Sequence, residues 1–185
     1  MSDKDALSDE SLWERMLRKD EEAVALLYLR YFDSLYNYGM HLCSDEEVVK
    51  DCIQDLFLSF YSLHSSSSVR SVKAYLLASV RNNILKNLKH SGVHIAMDEV
   101  EFELAVSEED VLCLFGDDDV CCKKVQRLHQ AYRQLSANQR HAIYLRFIKE
   151  LDWEEAGEVL HISSHSCMNL VGRAVAKLRK LMLLF

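Results

Sequence analysis

Between Leu56 and Met97 the chain carries no carboxylate, yet it sets Arg70, Lys73, Arg81, Lys86 and Lys89 around Tyr75 and the amides Asn82 and Asn83. Cations interleaved with an aromatic suit an opened nucleic-acid strand, because unpaired bases stack on rings while phosphates pair with cations. A second cluster is acidic. Within "VVKDCIQDLFLSFYSL", Asp51, Gln54 and Asp55 fall opposite the apolar stripe Val49, Ile53, Leu56, Phe57 and Phe60. That pattern makes a charged helix face, either solvated or offered to a partner. A third cluster is uncharged: no Lys, Arg, Asp or Glu occurs from Ser163 to Gly172. Ser164, His165, Ser166 and Asn169 lie there. Base reading needs no charge, since Asn pairs with adenine and Ser with several base edges. Arg173 and Lys177 continue the segment and supply cations for phosphates.

Catalytic and metal-binding patterns are missing from the sequence. It shows no paired carboxylates, no glycine-rich phosphate loop and no nucleophile elbow, which argues against an enzyme. His161 and His165 are spaced H-x3-H without a cysteine pair, and adjacent Cys121-Cys122 is not a usual ligand spacing. No metal or other cofactor is expected.

The elements that must position these clusters read as helices. The chain has no Pro and only 5 Gly in 185 residues, which favours long helices over a turn-rich β fold. Apolar periodicity predicts a helix near Ser11–Lys19, a second capped by Asp20, and a third opening with the S-x-x-E box Ser44-Asp45-Glu46-Glu47. A fourth runs from about Arg70 to Lys89. Regularity lapses over residues 90–122, apart from a short helical piece at Val111–Phe115. A fifth helix repeats Val125, Leu128, Tyr132 and Leu135. Ser136 and Asp152 cap the sixth and seventh. Ser163 caps the eighth, whose inward stripe is Cys167, Leu170, Val171, Ala174, Leu178 and Leu181. Between the last two, His161 occupies a turn that needs positive φ, a conformation for which His is among the enriched non-glycine residues. The expected fold is all-α: a four-helix domain over 1–90, an acidic linker over 91–122, and a helix-turn-helix domain over 123–185.

Charge follows the same division. The formal net charge is −7, but residues 123–185 hold 11 basic and 5 acidic side chains, while residues 91–122 hold 10 acidic and no basic ones. Two basic surfaces separated by acid raise the expectation of a nucleic-acid partner. The acidic segment is either a self-repelling spacer or a shield for those surfaces. The six cysteines have no CxxC pairing and MSDKDALSDE is not a secretory signal, so reduced thiols in a cytoplasmic protein are expected. No apolar run approaches the ~20 residues that span a bilayer.

Taken singly, each cluster has a plainer explanation: an ordinary αα-hairpin, a solvated acidic face, a solvated basic face. Together and in order they resemble the extracytoplasmic-function sigma factors of the sigma-70 family. "LLYLRYFDSLYNYGMHLCSDEEVVKDCIQDLF" is similar to the start of that family's region two, with a D-x-x-Q-[DE]-x-F core at Asp51, Gln54, Asp55 and Phe57. "AYLLASVRNNILKNLKH" resembles the block that follows. "AYRQLSANQRHAIYLRFIKELDWEEAGEVLHISSHSCMNLVGRAVAKLRKL" resembles region four, with His161 where the family commonly has Gly and Ser136 where it usually has Pro. The resemblance implies a promoter-specificity subunit whose partners are core RNA polymerase, promoter DNA and, in some cases, an anti-sigma factor. It assigns Asp51, Gln54 and Asp55 to polymerase docking, and Arg70, Lys73, Arg81 and Lys86 to promoter opening. Ser164, His165, Ser166 and Asn169 go to upstream-box reading, with Arg173 and Lys177 beside them. A stand-alone helix-turn-helix regulator and an all-α interaction adaptor are the alternatives.

Overall fold

Helix starts in this chain are set by side chains that accept from otherwise orphaned backbone amides. In the computed structural model, which describes residues 7–62, 69–90 and 127–184, every regular element is helical, with no strand among those residues. The acidic segment and the helical piece expected at Val111–Phe115 lie outside the described residues. The chain divides into two compact units, Met1–Ile95 and Ala96–Phe185.

The first unit contains α1 (Asp9–Leu17), α2 (Glu21–Met40), α3 (Glu46–Ser62) and α4 (Val72–His90). Two starts differ from expectation. α1 opens at Asp9 rather than near Ser11, because Ser8 caps it by accepting from the Ser11 amide. Asp45, not Ser44, caps α3, its Oδ1 accepting from the Glu47 and Val48 amides. In both places cap-forming residues crowd within a few positions, and the observed cap is the one whose oxygen reaches the free amides. Asp20 caps α2 as expected, and its other oxygen accepts from Arg15 at 2.8 Å, tying α1 to α2. Leu12, Met16, Leu27, Leu35, Tyr38, Ile53, Leu76, Leu77 and Ile84 form the buried centre. An edge-to-face cluster of Trp13 with Phe60 and Tyr75, at 5.6 and 4.9 Å between centroids, joins α1, α3 and α4.

The second unit contains α5 (127–133), α6 (Ala137–Ile143), a π-helical turn (Tyr144–Ile148), α7 (Trp153–Leu160) and α8 (Ser164–Leu184). Capping boxes open α6 and α7, pairing Ser136 with Gln139 and Asp152 with Glu155. Leu128, expected in the apolar stripe of α5, is 38% exposed instead. The π-helical turn was not expected. It ends where Arg146 donates to the Leu151 carbonyl at 3.1 Å and lies over the Trp153 ring at 4.7 Å. Arg146 is thereby a brace between the π turn and α7 rather than a free surface cation. Cys167, Val171 and Ala174 of α8 are buried, while Leu170, Leu178 and Leu181 are half-buried.

Candidate functional site

The turn between α7 and α8 is built from three local choices. His161 ends α7 in the left-handed region, at φ 57° and ψ 39°. Ser163 then caps α8, its hydroxyl accepting from the Ser166 amide at 3.1 Å. Gly157 lets the incoming chain lie directly on α7: a Cβ there would sit 2.8 Å from the Ile162 carbonyl oxygen and 3.3 Å from the Ser164 nitrogen. The Ile162 amide donates to the Gly157 carbonyl across this crossing at 2.9 Å. The result is a tight helix-turn-helix in which α8 presents one face outward.

That face carries the residues expected on it. His165, Ser166 and Asn169 are exposed, and Ser164 is half-buried. Arg173 is exposed and turns back to donate to the Asn169 carbonyl at 3.4 Å. Lys177 is exposed and donates to the Gln134 carbonyl. Met168, 43% exposed on the same face, was not among the expected residues. Its exposure follows from α8 spacing, because Cys167 and Val171 take the inward positions. No carboxylate occurs anywhere on α8.

In the first unit, Asp51, Gln54 and Asp55 are all exposed on α3, and none makes a hydrogen bond or ion pair with the described residues. Leu58, 54% exposed one turn on, extends the stripe with an apolar side chain. Its place was legible, since positions 51, 54, 55 and 58 are one helix face.

The cations divide. Arg70 and Lys86 are exposed and Lys73 is half-buried. Arg81 differs from the expectation of a surface cation: it is only 6% exposed and its Nη1 has no hydrogen-bond partner. The reason is register, because Leu77, Arg81 and Ile84 share the face of α4 that packs inward. A direct phosphate contact from Arg81 would need that packing to open.

Between α3 and α4 lies a groove of about 520 Å³. Asp55 and Ser59 line it from α3, and Tyr75, Asn82 and Lys86 from α4. Asn83 closes its floor by donating to the Cys52 carbonyl at 3.3 Å. The Cys52 thiol lies at the same floor, its pKa pushed up to about 11 by burial and then by Asp55, so it stays protonated and unreactive. The groove brings together an aromatic edge, amides and a cation, the set that accepts an unstacked base and its phosphate. It also joins one acidic-stripe residue, Asp55, to one cation, Lys86, which the sequence had placed in separate clusters.

These surfaces define an all-helical protein with a helix-turn-helix of the DNA-binding type in one unit and an amide-lined groove, walled by Asp55 and Lys86, in the other. Residues 27–92 match Sigma-70 region 2, and residues 125–178 match Sigma-70, region 4. Two Bacillus subtilis (strain 168) proteins are similar over most of their lengths. The ECF RNA polymerase sigma factor SigM is 24% identical, over 84% of this chain and 92% of that one, and the ECF RNA polymerase sigma factor SigX is 25% identical, over 86% and 84%. The fold is shared with CnrH, solved in complex with the cytosolic domain of CnrY (TM-score 0.60, 20% identity, 94% and 96% of the two chains). It is shared too with the sigma factor RpoE of Bartonella quintana, solved with the anti-sigma factor NepR (TM-score 0.54, 22% identity, 84% and 93%). The chain belongs to the sigma-70 family, in its extracytoplasmic-function group, and is a promoter-specificity subunit of RNA polymerase. No described helix is long and apolar enough to cross a membrane.

Proposed function

We propose a division of labour within this sigma subunit. Asp51, Gln54 and Asp55, with Leu58 beside them, dock on core RNA polymerase. The α3–α4 groove takes the opened strand of the downstream promoter box, with Lys86 and Arg70 on its phosphates and Asn82 on a base. Lys73 adds a partly covered cation, and Arg81 holds α4 from within. The exposed face of α8 reads the upstream box through His165, Ser166 and Asn169, with Ser164 at its start and Arg173 and Lys177 toward the backbone. The protein acts in the cytoplasm and performs no catalysis of its own. An anti-sigma factor that covers the α3 stripe would block docking. The domains are residues 1–90 and 123–185, with 91–122 as the acidic tether.

The observation that carries the proposal is the shared groove: Asp55 and Lys86 line one cleft from two helices. Polymerase docking and strand capture then adjoin, so a strand is captured where the polymerase holds the protein. The affinity that the uncharged first half of α8 lacks comes from this tether, because short-linked modules meet their second site at effective concentrations of about 1 mM.

Lys86→Ala tests the groove. The holoenzyme's salt slope on a fork probe with an unpaired non-template strand is expected to fall by about 0.7, the value for one single-strand phosphate contact, while binding to fully paired upstream duplex stays unchanged. Equal slopes for variant and wild type on the fork probe would remove the groove from strand capture.

A further inference from the structure

Gly172 departs from the local chemistry of α8. It lies inside the helix Ser164–Leu184, is exposed, has no positive φ, and a Cβ built on it meets no heavy atom within 4 Å. Glycine in a helix interior is less stable than alanine, because the unfolded chain at glycine has more freedom to lose. Gly157 shows what an internal reason looks like, a backbone carbonyl at 2.8 Å from the added carbon. Gly172 has no such neighbour among the described residues. A local cost without an internal compensation points to a requirement outside the chain.

The position shows which requirement. Asn169 and Met168 precede Gly172 by one helical turn on the same exposed face, Ala176 follows by one turn, and the exposed Arg173 and Lys177 lie along one side of it. The absence of any carboxylate along α8 leaves the face free of repulsion toward phosphate. We propose that Gly172 is a positioning residue of the DNA-reading face. Its bare backbone lets one sugar–phosphate strand at the groove edge approach α8 closer than any side chain would allow. That approach seats Asn169 within hydrogen-bond reach of a base and lays the Met168 thioether against an apolar base edge such as a thymine methyl. The inference rests on α8 being the duplex-reading helix.

The test uses the full chain assembled with core RNA polymerase. The probe is the duplex that the wild-type holoenzyme selects from a random-sequence library. Gly172→Ala is expected to raise the melting temperature of the free protein by about 4 °C and to weaken the selected duplex about tenfold. Gly172→Leu weakens it further, and core binding is unchanged in both. A higher melting temperature with unchanged duplex affinity would overturn the proposal, since the glycine would then be only an unoptimised position. A lower melting temperature would overturn it too, by showing that the glycine serves the fold. Asn169→Ala in the same assay separates the two levels. If it leaves both affinity and base preference intact, α8 does not read the duplex at all. If it relaxes base preference while Gly172→Ala changes nothing, only the positioning role fails.

Discussion

The Asp51→Lys, Asp55→Lys double variant is expected to fold normally and to lose binding to core RNA polymerase. Both carboxylates are exposed on α3, opposite the buried Cys52, Ile53 and Leu56. Neither is engaged by a described partner, so reversing them breaks no ion pair, and exposed substitutions of this kind cost about 0.5 kcal/mol or less. At an interface the same reversal sets like charges against a complementary surface. Such juxtaposition costs several kcal/mol, and about 3 kcal/mol corresponds to roughly a hundredfold in Kd. The measurement is core binding by fluorescence anisotropy beside a circular-dichroism melt. Asp51→Asn with Asp55→Asn separates charge from shape and should lose less. A folded double-lysine variant that binds core as tightly as the wild type would place docking elsewhere.

Gly157→Ala is expected to destabilise the second unit by about 3 kcal/mol and to leave the first untouched. The added carbon would meet the Ile162 carbonyl oxygen at 2.8 Å and the Ser163 carbonyl carbon at 3.4 Å. These are backbone atoms, so no side chain can turn aside. Relief requires α7 and α8 to separate, which strains the His161 turn and weakens the Ile162-to-Gly157 hydrogen bond. Overpacking of this kind costs about 1–3 kcal/mol, and rigid backbone neighbours put the site at the upper end. Hydrogen exchange resolved by peptide is the measurement. Amides of α7 and α8 should lose protection while those of α2, α3 and α4 keep theirs. Uniform loss across both units, or none, would contradict the assigned crossing.

Features made within one helical turn were legible in the sequence. Asp20, Ser136, Asp152 and Ser163 cap the helices assigned to them, because a cap needs only an acceptor and a free amide two or three residues on. His161 was legible for the same reason. Where several cap-forming residues crowd together, as at Ser44 and Asp45, sequence does not choose between them, and the difference is one residue of backbone path. Arg81 was readable and was misplaced. Its spacing from Leu77 and Ile84 puts it on the inner face of α4, but its charge suggested the outer one. The π-helical turn at Tyr144–Ile148 left no local signal, since its widened turn is fixed by Arg146 reaching Leu151 and Trp153 across the following bend. The groove was invisible as well. Its walls come from two helices, and which residues face each other depends on their packed register rather than on either periodicity.

Reconstituted initiation tests the central claim most directly. Core RNA polymerase with the purified chain is expected to give discrete run-off transcripts from a subset of genomic fragments, and the same core without the chain should give none. The Asp51→Lys, Asp55→Lys variant should behave like core alone. If the chain instead binds paired DNA without core, and adds no discrete start site in its presence, it is a free-standing helix-turn-helix regulator and its assignment as a promoter-specificity subunit is wrong.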